Sequence, residues 1–118
     1  MIMVRNVIDT AFSLEDAEKL THVIDREISN KDEKQKVIID FDGIRYFTTL
    51  FFNNAIIKYI GELGSKEFTS LFEIRNLSEV GKTTYAHSLQ NGKEYYSLND
   101  EERKMFDDVL NQYIDDND

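Results

Sequence analysis

The chain has 118 residues, with 23 acidic against 14 basic side chains, a net charge of -9, and neither cysteine nor proline. That length supports one domain, residues 1–118, burying roughly two thirds of the surface exposed on unfolding. The missing cysteine excludes disulfides, thiolate metal sites and a Cys nucleophile, and the sign of the charge opposes direct binding to a nucleic-acid backbone.

The first segment, MIMVRNVIDT, lacks a basic region followed by a sustained apolar run, and no later stretch approaches the roughly 20 apolar residues that span a bilayer. We therefore expect a cytoplasmic protein with no membrane partner. Residues Ile2 to Arg5 form a short β-like run. Ser13 with Asp16 then makes a capping signal ahead of Ala17, Leu20, Ile24 and Ile28, the spacing of an amphipathic helix ending near Ser29 or Asn30. After a charged loop, Val37-Ile-Ile-Asp-Phe41 is β-branched and continuously apolar up to Asp40, as expected of a central strand covered on both faces.

Leu50 to Leu63 changes period. Phe51, Phe52, Ala55, Ile56, Tyr59, Ile60 and Leu63 form a wide helical face, and Gly64 suits a C-terminal cap. Thr69 to Ile74 reads as a third strand, followed by Asn76 or Ser78 capping a helix that runs to about Leu89. Asn91-Gly92 reads as a turn, with Lys93–Tyr96 as either an edge strand or a loop. A last helix is capped by Asn99 with Glu102, buries Met105, Phe106, Val109, Leu110, Tyr113 and Ile114, and gives way to a short acidic tail from about residue 115. Strands alternating with helices predict a layered α/β domain whose functional loops leave the C-terminal ends of the strands.

Three motifs carry candidate chemistry. Asp40-Phe-Asp42-Gly43 resembles the first motif of haloacid dehalogenase-like phosphatases, in which the first Asp is the nucleophile and Mg²⁺ neutralises the phosphate. Ile44 stands where that family carries Thr, and no later strand ends in paired acids: Asp107-Asp108 falls in a helical pattern and Asp115-Asp116 in the tail. The competing reading makes Asp40 and Asp42 turn and helix-terminus acceptors. Gly81-Lys82-Thr83 imitates the end of a P-loop, but Asn76 replaces the first glycine and Glu79 would face the phosphates. His22 and His87 share no metal-ligand spacing. No residue is expected to be catalytic, and neither a metal nor a cofactor is expected.

The third motif is the threonine pair. Val37–Ile39, Asp40-Phe41, Gly43-Ile44, Tyr46-Phe47, Thr48-Thr49 and Phe51 together resemble the core of STAS-like domains, relatives of bacterial anti-sigma-factor antagonists, over about 25 residues. The resemblance implies a mixed sheet of about four strands with helices mainly on one face. It also implies a signalling switch, in which a histidine-kinase-like ATPase phosphorylates a Ser or Thr at the start of this helix and so controls partner binding. By position Thr49 is the counterpart, with Thr48 beside it; Thr48 replaces the acid and Phe51 the small Gly of the Asp-Ser-x-Gly form.

A phosphothreonine at a helix start adds about -1.5 to -2 charge, which free N–H groups and the macrodipole tolerate. The expected partner surface comprises Asp40, Asp42, Tyr46, Phe47, Thr48 and Thr49. The function expected is a non-enzymatic, regulatory protein-interaction module. The alternatives are a constitutive self-association or partner-binding domain, with Tyr95, Tyr96 and the acidic last helix as its surface, and a Mg-dependent phosphatase using DFDG.

Overall fold

The apolar run read as a central strand occupies the middle of the sheet in a computed structural model, which describes residues 1–98 together with 101, 102, 104, 105 and 108. Strand β2 (Val37–Asp40) lies between β1 (Ile2–Met3) and β3 (Phe72–Arg75), parallel to both. Among the described residues the sheet thus has three strands, all parallel, rather than the mixed arrangement of about four. The β-like run at the start is shorter than expected, because the chain turns through a 3₁₀ segment (Val4–Asn6) directly after Met3.

Sheet order follows chain order, and parallel crossovers share one hand, so both connections are carried on the same face of the sheet. Side-chain alternation agrees. Ile2, Val37, Ile39 and Phe72 are buried and Ile74 packs on the same core, whereas Met3, Ile38 and Glu73 point to the opposite face and are only half-buried.

The first crossover is α1 (Leu14–Asn30), which buries Ala17, Leu20 and Ile24. Its start is the expected capping box: the Asp16 N–H donates to Ser13 Oγ at 3.1 Å and the Ser13 N–H donates to Asp16 Oδ2 at 3.3 Å. Burial pushes the Asp16 carboxyl up, but hydrogen bonds from Ser13 and Thr10 outweigh it and hold the group below its ordinary value.

The second crossover holds the central helix, in three continuous parts: α2 (Thr49–Phe52), a π segment (Asn53–Ile57) and α3 (Lys58–Leu63). The π register shows in the Lys58 N–H, which reaches back five residues to the Asn53 carbonyl. Gly64, at φ +86°, ends α3, and its carbonyl accepts the Phe68 N–H at 3.0 Å, which starts a further helix, α4 (Ser65–Leu71). Thr69 to Leu71, read as strand, are therefore helical. Phe68 turns inward against Phe72 with ring centroids 5.2 Å apart, and strand conformation begins only at Phe72.

After β3 comes α5 (Glu79–Ser97), capped by Ser78, whose Oγ accepts the Gly81 N–H at 3.1 Å. It continues through Asn91-Gly92 and Lys93–Tyr96 instead of turning at Gly92 or forming a strand. The reason is packing: a Cβ on Gly92 would stand 2.1 Å from Ile57 Cγ2, so the glycine lets α5 approach the central helix. Ser88 is buried in the same seam and donates to Asn53 Oδ1.

Of the predicted last helix, residues 101, 102, 104, 105 and 108 are helical, and Met105, expected to be buried, is exposed. Asn99, Phe106, Val109, Leu110, Tyr113, Ile114 and the acidic tail lie outside the described residues.

Candidate functional site at the start of the central helix

The loop after β2 is built backwards from its hydrogen bonds. Asp40 ends the strand with its carboxylate turned into the loop, where Oδ1 accepts the Asp42 N–H at 2.9 Å. The Asn76 side-chain amide donates to both carboxylate oxygens, at 3.0 and 3.1 Å. Asp40 is 8% exposed. The Asp42 N–H first, then Asn76, with Arg75 and Arg5 nearby, hold its carboxyl below the ordinary value against the opposing effect of burial.

Asn76 reaches this position from a left-handed backbone, φ 59°, directly after β3. Asp42 is exposed and pairs with Arg5 at 3.0 Å. Gly43 takes φ +86°, and the Ile44 N–H closes the turn on the Phe41 carbonyl at 3.0 Å.

Beyond the turn the chain pairs with the segment that precedes α1. Ala11 and Phe47 form an isolated parallel bridge, the Ala11 N–H donating to the Tyr46 carbonyl and the Thr48 N–H to the Ala11 carbonyl, each at 3.0 Å. Ala11 and Phe47 point inward. Alternation therefore sends Phe12, Tyr46 and Thr48 outward. Phe47, expected on the partner surface, is a core residue: it stacks on Phe52 with centroids 5.6 Å apart and planes at 6°, in a cluster with Phe41, Phe51 and Tyr85. Burial pushes the Tyr85 hydroxyl up to about 12.

The two threonines divide the work at the helix start. Thr48 is the N-cap, its Oγ1 accepting the Phe51 N–H at 3.1 Å and donating to the Phe12 carbonyl at 2.6 Å. Thr49 is the first helical residue and is exposed. Around it stand large apolar side chains in solvent: Tyr46 at 64% exposure, Phe12 at 57% and Leu50 at 51%.

Sequence reasoning missed Phe12 and Leu50. Phe12 precedes the Ser13 cap, the place of a hydrophobic staple that would fold onto Ala17, and its exposure departs from that expectation. Asn76 reads in the sequence only as a helix cap or a failed P-loop position.

The other motifs are placed plainly. Gly81-Lys82-Thr83 lie inside the first turns of α5: the Gly81 N–H is taken by Ser78, Lys82 pairs with Glu79 at 3.2 Å, and Thr83 Oγ1 donates to the Glu79 carbonyl at 3.1 Å. No phosphate cradle forms there. His22 and His87 are exposed on different helices. Among the described residues there is no group of three or more metal-ligating side chains, and no helix is long and apolar enough to cross a membrane.

A parallel three-stranded sheet, helical crossovers on one face and a polar turn leading into a threonine-capped helix define a small α/β domain. The chain belongs to the family described as STAS-like domain of unknown function (DUF4325), whose model matches residues 16–82, more than half of the chain and inclusive of the entire turn and central helix. No curated protein and no solved structure matches it.

Proposed function

We propose that this domain is a non-enzymatic regulatory module that binds a protein partner through the surface at the start of the central helix, and that modification of Thr49 controls the binding. One observation carries the reading. Thr48 spends its hydroxyl on the cap and the Phe12 carbonyl, while Thr49 stands exposed one residue later among Tyr46, Phe12 and Leu50. Exposed aromatic and aliphatic side chains gathered about one helix start supply an anchor surface. A phosphate on Thr49 would place about -1.5 to -2 charge in that surface without breaking the cap, reversing its affinity for an apolar partner face.

The partner class we favour is a histidine-kinase-like ATPase, as in the better-known STAS-like switches. Incubation with such an ATPase and Mg-ATP, followed by intact-mass measurement, is expected to show one added phosphate in wild type and in Thr48→Val and none in Thr49→Val. An unmodified wild type would sink the switch, leaving constitutive binding to be read by calorimetry with the same ATPase. The non-enzymatic reading is supported by the double engagement of Asp40, whose two oxygens both accept hydrogen bonds. Mg-dependent phosphate-ester hydrolysis lost in Asp40→Asn would overturn it.

A further inference from the structure

The outer edge of β3 is unpaired among the described residues, because the sheet order places β3 at one side with β2 as its neighbour. One bond sets the polarity of that edge. The Arg75 carbonyl accepts the Phe41 N–H at 2.9 Å, so Arg75, and Glu73 two residues before it, turn their backbone groups toward β2. The N–H and C=O of Phe72 and Ile74 accordingly point outward. Strand edges are commonly blunted by shortness, charged side chains, proline, a bulge or a covering element, and β3 is short and carries two charges. This one has an unbroken register with β2 from Phe72 to Arg75, and the chain has no proline.

Charge selects the occupant. An antiparallel strand of the same sequence, related by a two-fold axis at Ile74, sets Ile74 opposite Ile74 as a hydrogen-bonded pair, the arrangement its outward N–H and C=O require. The same register sets Glu73 opposite Arg75 of the second copy, twice, at non-hydrogen-bonded positions where Cα atoms approach to about 4.5 Å. Both side chains lie on the open face of the sheet, 38% and 47% exposed, and within one copy they already form an ion pair. Joining two copies closes a ring of four charges of alternating sign. A register one residue away puts Glu73 opposite Ile74 and loses both pairs.

We propose that β3 is a self-association edge through which two copies of this chain pair antiparallel about Ile74, extending the sheet from three strands to six. This interface lies on a different element from the surface at Thr49 and does not rest on that reading. Exposed ion pairs and a three-residue ladder, Glu73 to Arg75, are individually weak, so a concentration-dependent dimer is expected rather than a permanent one.

Sedimentation velocity across a dilution series tests it, with circular dichroism confirming the fold of each variant. Wild type should shift from monomer to dimer with concentration. Glu73→Arg and Arg75→Glu should each weaken the dimer about tenfold or more, because like charges then face each other. The equimolar mixture of the two variants, and the double variant E73R/R75E, should both dimerise, since opposite charges meet again. A wild type monomeric at every concentration overturns the proposal, as does a dimer indifferent to the reversals or singly reversed variants that fail to complement when mixed.

Discussion

Replacing Thr48 by Ala removes both the acceptor of the Phe51 N–H and the donor to the Phe12 carbonyl. We expect a loss of about 1–2 kcal/mol in urea unfolding, whereas Thr49→Val, which touches neither bond, stays within about 0.5 kcal/mol. Asp40→Asn should cost about 1–3 kcal/mol at neutral pH, because a neutral amide cannot accept from Asn76 with both of its terminal atoms. Since the folded-state pKa of Asp40 is depressed, its contribution is full above the unfolded value near about 4 and is lost as pH falls through the lower folded value. Unfolding curves of wild type and Asp40→Asn measured from pH 7 down to pH 2 should therefore converge at the acid end. The sequence shows an Asp-x-Asp-Gly whose later companions for a nucleophile are missing, which favours turn acceptors there. The amide that engages both Asp40 oxygens belongs to Asn76, 36 residues away, and no local pattern announces it.

At the scale of elements, Gly92 reverses the usual rule for helices. An alanine in a helix interior is worth up to about 1 kcal/mol over glycine, but here the new Cβ would fall 2.1 Å from Ile57 Cγ2. Overpacking of that kind costs about 1–3 kcal/mol, so Gly92→Ala should be destabilising in thermal or urea unfolding despite its better helix propensity. Asn-Gly is also a strong turn signal when read alone, which is why α5 looks broken in the sequence and continuous in the fold. The central helix was legible because seven apolar positions recur at helical spacing. Its π segment was not, since an i to i−5 bond at Asn53 and Lys58 leaves no mark in the apolar pattern. Thr69 to Leu71 misled for a related reason: β-compatible residues continue α4 so that Phe68 can reach Phe72.

For the whole molecule, the aromatic cluster of Phe41, Phe47, Phe51, Phe52 and Tyr85 ties sheet, central helix and α5 together. Phe52 contacts the other four rings and is fully buried. Phe52→Ala should remove about 3–5 kcal/mol, enough to threaten a domain of this size, and calorimetric unfolding reads it directly. This cluster explains why the α/β class was readable in advance. Four of its members fall in the one stretch where strand, turn and helix are all encoded locally. The strand count was harder, because β1 contributes two residues and β3 four, lengths at which a strand has little periodicity to show.

The crossovers on one face carry a consequence for what can bind. Open α/β sheets offer a ligand crevice at a topological switch point, where strand order reverses and neighbouring connections leave toward opposite faces. Here the order of the described strands runs 1-2-3 without reversal. The carboxyl ends of β2 and β3 are moreover stitched together by the Asp40–Asn76 hydrogen bonds. At those two strand ends Asn76 thus ties the two connecting loops together through the Asp40 carboxylate.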